Sequence, residues 1–114
     1  MKRFEDKTLS LEQAASAFAA LGSEQRLSVL QTLVRAGPDG LSMGELGEKT
    51  GVTGSTLTHH LKFLTAADLV VQAKQGRTII CVGVAYDMAE ALSKFLLQNC
   101  CADADGDHAG HEHG

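Results

Sequence analysis

Apolar residues along this 114-residue chain recur at helical spacing, and short polar caps interrupt them. Ser10 precedes "LEQAASAFAAL", with Gln13 three residues further on. This is the capping-box arrangement, in which the cap hydroxyl and the Gln side chain satisfy each other's free backbone N–H groups. Leu21-Gly22 ends that helix. Ser23 opens a second, "SEQRLSVLQTLVRAG", in which Leu27, Leu30, Leu33 and Val34 form the predicted core stripe. Gly37, Pro38 and Gly40 then stop it. Ser42 with Glu45 makes another capping box before the short "MGELGEKT" segment.

"TGVTGS" reads as a tight turn, with Gly51 suited to a left-handed helix end. Thr53 is placed as the cap of "GSTLTHHLKFLTAAD", whose Leu57, Leu61 and Leu64 would be buried. Two helices joined by a few residues including Gly make a helix-turn-helix. The period then shortens. "LVVQAKQGRTIICVGV" is rich in Val and Ile around Gln75-Gly76, which predicts a hairpin with strands near 69–74 and 77–84. A last amphipathic helix, "YDMAEALSKFLLQN", puts Met88, Ala91, Leu92, Phe95 and Leu96 on its apolar side. The expected order is ααααββα: mainly α with a β-hairpin wing. Residues 1–101 would form one domain and 102–114 an acidic, His-containing tail without fixed structure.

Composition changes this picture little. Hydrophobic residues make up 44% of the chain and aromatics 4%, a mix that suits packed helices. A core of this size is modest, so burial shared with a second subunit would help. The net charge of −4 is misleading about nucleic acid. Asp103, Asp105, Asp107 and Glu112 lie in the tail, leaving ten basic and ten acidic residues in the rest, which can still present a local basic face. No 18-residue apolar stretch and no apolar signal core is present, so no membrane partner and a cytoplasmic location are expected. Three cysteines do not make a disulfide framework.

The candidate chemistry sits in two places. Thr53, Ser55, Thr56, Thr58, His59 and Lys62 line the exposed side of the fourth helix. Their hydroxyls, imidazole and ammonium suit phosphates and base edges in a major groove. Lys74 and Arg77 bracket the wing tip and would neutralise phosphates. His60 lies nearer the apolar stripe, where a partly buried structural role is expected. The second place is Cys100-Cys101. Adjacent Cα atoms lie about 3.8 Å apart, below the roughly 4.4 to 6.8 Å of ordinary disulfides. Two thiolates chelating one soft, thiophilic atom is the more natural chemistry. Cys81, in the apolar "TIICVGV" strand, is a candidate third ligand, or a small buried hydrophobe. His108, His111 and His113 with the tail acids are weak metal-ligand candidates. "DADGD" lacks the Gly and Glu that a calcium loop needs further on.

"ALGSEQRLSVLQTLV" and "LSMGELGEKTGVTGSTLTHHLKFLTAADLVVQAKQGRTI" together resemble the ArsR/SmtB family of dimeric winged helix-turn-helix repressors, over residues 13–99. The most telling part is "STLTHHLKFL" followed by a Leu-Val strand and a "QGR" wing. Asp68 stands where the family usually has Gly, and Asp tolerates a left-handed backbone, so the turn should survive. The resemblance implies a homodimer built from helices near 9–21 and 86–99, a palindromic double-stranded operator, no enzymatic activity and no required cofactor. It also implies an inducer. The family's Cys-Val-Cys site and its Asp/His site on the last helix both lack ligands here. "NCC" looks like the arsenic-responsive subgroup with a C-terminal Cys pair. The expected inducer is therefore As(III) or methylated As(III), or Sb(III), held by Cys100 and Cys101. Sensing of thiol oxidation, reactive sulfur or another soft ion is the alternative with the same fold. A thiol enzyme or metal carrier is disfavoured, because no Cys-x-x-Cys, Ser/His/Asp set or phosphate loop is visible.

Overall fold

A computed structural model describes residues 8–52 and 54–104. Five helices and three strands follow in the order α1 (Leu11–Leu21), α2 (Glu24–Ala36), β1 (Leu41–Ser42), α3 (Met43–Thr50), α4 (Gly54–Ala66), β2 (Val70–Gln75), β3 (Thr78–Gly83) and α5 (Ala85–Leu97). The caps form as the sequence dictates. Ser10 Oγ accepts from the Gln13 N–H at 3.0 Å, while Gln13 Oε1 accepts from the Ser10 N–H at 2.9 Å. Ser42 and Glu45 repeat this pattern at 3.1 and 2.9 Å. Ser23 caps α2 through the Arg26 N–H.

The sheet has one strand more than the sequence pattern predicts. Leu41 and Ser42 pair antiparallel with Cys81 and Ile80, giving the order β1-β3-β2. Two residues carry no readable alternation, so β1 exists only because β3 offers it a free edge. Gly40 admits it at φ +70°, and a Cβ there would overlap the Cys81 carbonyl oxygen.

α2 is the central helix and packs on α1, α3, α4 and β3. Its buried face is Val29, Leu30 and Leu33. Leu27 and Val34, expected in the core, are 43% and 50% exposed. At about 100° per residue, they lie roughly a quarter turn from the centre of the buried face, at its edge, where Val34 still flanks Gly83 of β3. The largest fully buried side chains are Leu33, Leu46, Leu61, Leu64, Leu69, Val29, Val70 and Cys81. α1 contributes only Ala14, Ala17 and Ala20, whose small side chains allow close approach. α5 buries Met88, Ala91 and Leu92 and half-buries Phe95, whereas Leu96, expected on the same side, is 67% exposed. No helix among the described residues is long and apolar enough to cross a membrane.

Candidate nucleic-acid interface and thiol pair

The turn between α3 and α4 is built by local hydrogen bonds. Gly51 ends α3 in the left-handed region (φ 76°, ψ 3°) and its N–H reaches the Gly47 carbonyl at 2.8 Å. Thr50 Oγ1 donates to the Leu46 carbonyl and accepts from the Val52 N–H, while Val52 is buried beneath the turn. α4 then buries Leu57, His60, Leu61 and Leu64. Ser55, Thr56, Thr58, His59 and Lys62 all lie on its exposed side, as the sequence pattern expects. Thr58 Oγ1 also donates to the Gly54 carbonyl at 3.4 Å, beside the exposed ridge. Thr53 lies outside the described residues.

His60 takes the structural role anticipated for it. It is 8% exposed and its Nε2 lies 2.8 Å from Gln25 Oε1. Because the Gln oxygen can only accept, Nε2 carries the proton. Burial, then the nearby Arg26 and His59, hold its pKa below that of an ordinary histidine.

The helix ends in a Schellman motif. The Leu69 N–H bonds the Leu64 carbonyl at 2.9 Å, and the Asp68 N–H bonds Thr65 at 3.0 Å. Asp68 occupies the left-handed position at φ 63°, so the turn does survive without Gly. This cap delivers buried Leu69 and Val70 into the wing. The hairpin register is Val70↔Gly83 through Gln75↔Thr78, so its two loop residues are Gly76 and Arg77. That is one residue later than the expected centre at Gln75-Gly76, and the strands run 70–75 and 78–83. A two-residue hairpin of this kind needs positive φ at its first loop residue, and Gly76 supplies it at +64°. Lys74 therefore sits on β2 and Arg77 at the tip itself, both exposed.

The sequence pattern gives no sign of a second group behind α4. Arg26 Nε donates to the Ala20 carbonyl at 2.8 Å and Nη2 to Ala19 at 3.4 Å. Its guanidinium carbon lies 4.6 Å from the centre of the Phe63 ring. Phe63 in turn meets the His59 ring edge-on at 5.0 Å. Arg35 and Lys49 were likewise missed, and they line one open cleft with Thr32 and Ala36. Only the basic residue type hints at either of them in the sequence.

The cysteines separate into two environments. Cys81 is fully buried in β3, where its Sγ accepts from Gln72 Nε2 at 3.5 Å and contacts Met43 Sδ at 3.7 Å. Burial pushes its thiol pKa up, against the lowering effect of the Gln72 hydrogen bond. Among the described residues no three His, Cys, Asp or Glu side chains group closely enough for a metal ion. Cys81 is thus not brought to the terminal pair, because the sheet holds it between α3 and β2. Cys100 and Cys101 are exposed and not joined in a disulfide, with their sulfurs 3.6 Å apart. They lie beyond α5 rather than on its end. Gln98 caps the helix, and Cys100 N–H→Leu97 and Ala102 N–H→Asn99 bonds form successive turns with Asn99 and Cys101 at positive φ. The Cys101 pKa is raised, first by its hydrogen bond with Cys100, in which the Cys101 thiol donates, then by the charge of Cys100 and by desolvation. His108, His111 and His113 lie outside the described residues.

A left-handed turn between two helices, a polar ridge backed by a leucine stripe and a basic hairpin tip together define a winged helix-turn-helix domain. A helix-turn-helix domain family matches residues 21–73. An uncharacterized helix-turn-helix transcriptional regulator of Bacillus subtilis, YceK, is 41% identical over 64 residues, 56% of this chain and 63% of that protein. The chain spans less than two thirds of the length of the curated relatives it matches. Among solved structures, an ArsR-like transcriptional regulator from Rhodococcus sp. RHA1 aligns with a TM-score of 0.64 and 28% identity, over 81% of this chain and 82% of that one. The homodimeric winged helix-turn-helix DNA-binding domain of Mb0332 from Mycobacterium bovis shares the fold at 23% identity and a TM-score of 0.60, over 91% and 88%. The chain thus carries a helix-turn-helix domain and shares the winged helix-turn-helix fold of ArsR-like transcriptional regulators.

Proposed function

We propose that the protein is a homodimeric repressor that binds a palindromic operator and releases it when Cys100 and Cys101 capture a trivalent arsenical. The observation that carries this reading is the pair of exposed, reduced sulfurs 3.6 Å apart just beyond α5. At metal–sulfur distances of about 2.3 Å, sulfurs at that spacing subtend about 100° at a shared atom. This suits a pyramidal soft centre better than a linear one. Only two thiols meet, which favours a mono-organic arsenical, needing two sulfurs, over arsenite, which takes three.

Dimerisation has its own support. Leu11 and Phe18 on α1 are 75% and 43% exposed, and Tyr86, Leu96 and Leu97 on α5 are 79%, 67% and 60% exposed. These helices are apolar enough on their outer sides to bury against a second copy. On the DNA side, Ser55, Thr56, Thr58 and His59 occupy the N-terminal half of α4, where base contacts concentrate. Exposed Lys62, Lys74 and Arg77 would neutralise phosphates. Two such helices across a two-fold axis would read half-sites about one helical turn apart. A ligand beside α5 releases DNA only by binding one dimer geometry better than the other.

The test is fluorescence anisotropy on an operator selected from a random duplex pool, with arsenite or methylarsenite added. Methylarsenite should release the wild type, while Cys100→Ser/Cys101→Ser should stay bound. Equal release of both proteins would place the sensor elsewhere.

A further inference from the structure

The first turn of α2 touches both the outer helix α1 and the recognition helix α4, through two consecutive residues. Arg26 spans the joint. Two of its nitrogens bond carbonyls in the last turn of α1, at Ala20 and at Ala19, which also accepts from the Gly22 N–H. α1 has no basic residue in its own last turn, so this guanidinium also supplies the cation its C-terminal dipole favours. The face of the same guanidinium lies over Phe63, 4.6 Å from the ring centre. Phe63 stands one helical turn after His59 and holds its ring edge-on at 5.0 Å and 82°. Gln25 adds a second tie, its carboxamide oxygen 2.8 Å from His60 Nε2. Neighbouring residues of α2 thus grip two residues one turn apart on α4, and one of the gripped rings, Phe63, in turn meets His59 of the exposed ridge.

We propose that Gln25 and Arg26 form a joint that couples the position of α1 to the base-reading face of α4, with Arg26 the positioning residue for His59. This rests on the reading of α4 as the DNA-contacting helix. Simple packing would need only an apolar contact at Phe63. A planar, bidentate donor is required only if the end of α1 and the ring on α4 must keep one fixed relation. A shift of α1 within a dimer would then reach the His59 ring through Arg26 and Phe63, with no change in the core. Arg26 itself contacts backbone carbonyls and a ring and is half-buried, so it acts through His59 rather than on phosphates.

The test uses the full chain and the Arg26→Lys and His59→Ala substitutions. Lysine keeps the charge and can reach one carbonyl, but cannot stack and donate twice. Arg26→Lys should melt close to the wild type. It should lose about tenfold in affinity for the selected operator, on the order of one base contact, while its binding to a random duplex and its salt slope stay unchanged. In the double variant, His59→Ala should cost far less than it does in the wild type. His59 ring proton shifts, recorded by NMR without DNA, should move as the ring current of Phe63 changes. Additive losses, equal losses on both duplexes, or unmoved His59 shifts would each overturn the joint. A wild type that binds no duplex would instead sink the DNA-binding reading, and the His59 shifts would still decide the joint.

Discussion

Gly40 is where the short strand β1 meets the sheet, and replacing it with alanine isolates one tertiary contact. Two costs combine. Its backbone sits at φ +70°, which for an L residue costs about 1–2 kcal/mol. The new methyl would also overlap the Cys81 carbonyl oxygen and lie 2.8 and 3.0 Å from the Val82 and Ile80 methyls. Relieving that overlap means moving β1 off β3, and overpacking of this kind costs about 1–3 kcal/mol. The sum is about 3 kcal/mol, a large share of the roughly 5–15 kcal/mol that holds a domain together. Gly51→Ala is the matched control, because Gly51 also has positive φ (76°) but nothing within 4 Å of its would-be Cβ. It should cost only about 1 kcal/mol. Urea melts at a fixed protomer concentration, needed because the proposed dimerisation would make stability concentration-dependent, should therefore separate the two variants by about 2 kcal/mol. In thermal melts the gap should be roughly 8–16 °C. If the two variants lose stability equally within about 0.5 kcal/mol, the close approach of Gly40 to β3 contributes nothing and the reasoning fails.

Three further outcomes are expected. Leu33→Ala, in a fully buried position on the central helix, should cost about 2–5 kcal/mol in the same urea assay; a loss below 1 kcal/mol would mean that the site collapses around the deletion. His60 is held neutral in the fold by burial and by Arg26, so the unfolded chain takes up a proton that the fold refuses. Stability should therefore fall as the pH drops below about 6.5, toward the lowered pKa of the folded state, and His60→Gln should flatten that slope; parallel pH profiles for the two proteins would contradict it. Lys74→Ala and Arg77→Ala should each reduce the salt dependence of DNA binding by about one unit of log K against log salt, and unchanged slopes would remove the wing tip from the phosphate contacts.

Local chemistry was legible in the sequence wherever a residue's partner lies within a few positions. The capping boxes at Ser10/Gln13 and Ser42/Glu45, the left-handed Gly51 and the left-handed Asp68 all form as their types and spacing predict. The polar ridge of α4 and its leucine stripe were readable for the same reason, since one helical period sorts them. The exposed Cys100-Cys101 pair was readable because adjacency alone brings two sulfurs together.

The remaining features depend on partners far along the chain. Only the edge of β3 makes a strand of Leu41 and Ser42. Only the combined packing of α3, α4 and β3 decides that α2 buries Val29 rather than Leu27 and Val34. Cys81 could not be told from a ligand by type, but burial beside Met43 and Gln72 fixes it in the sheet. Helix period also could not place Cys100 and Cys101 past the end of α5, because Asn99 and Cys101 take left-handed conformations that no apolar spacing encodes. Arg26, tied to α1 on one side, meets on the other a ring 37 positions further along the chain, Phe63. Spacing determines which face a residue occupies, but only the fold decides what stands opposite that face.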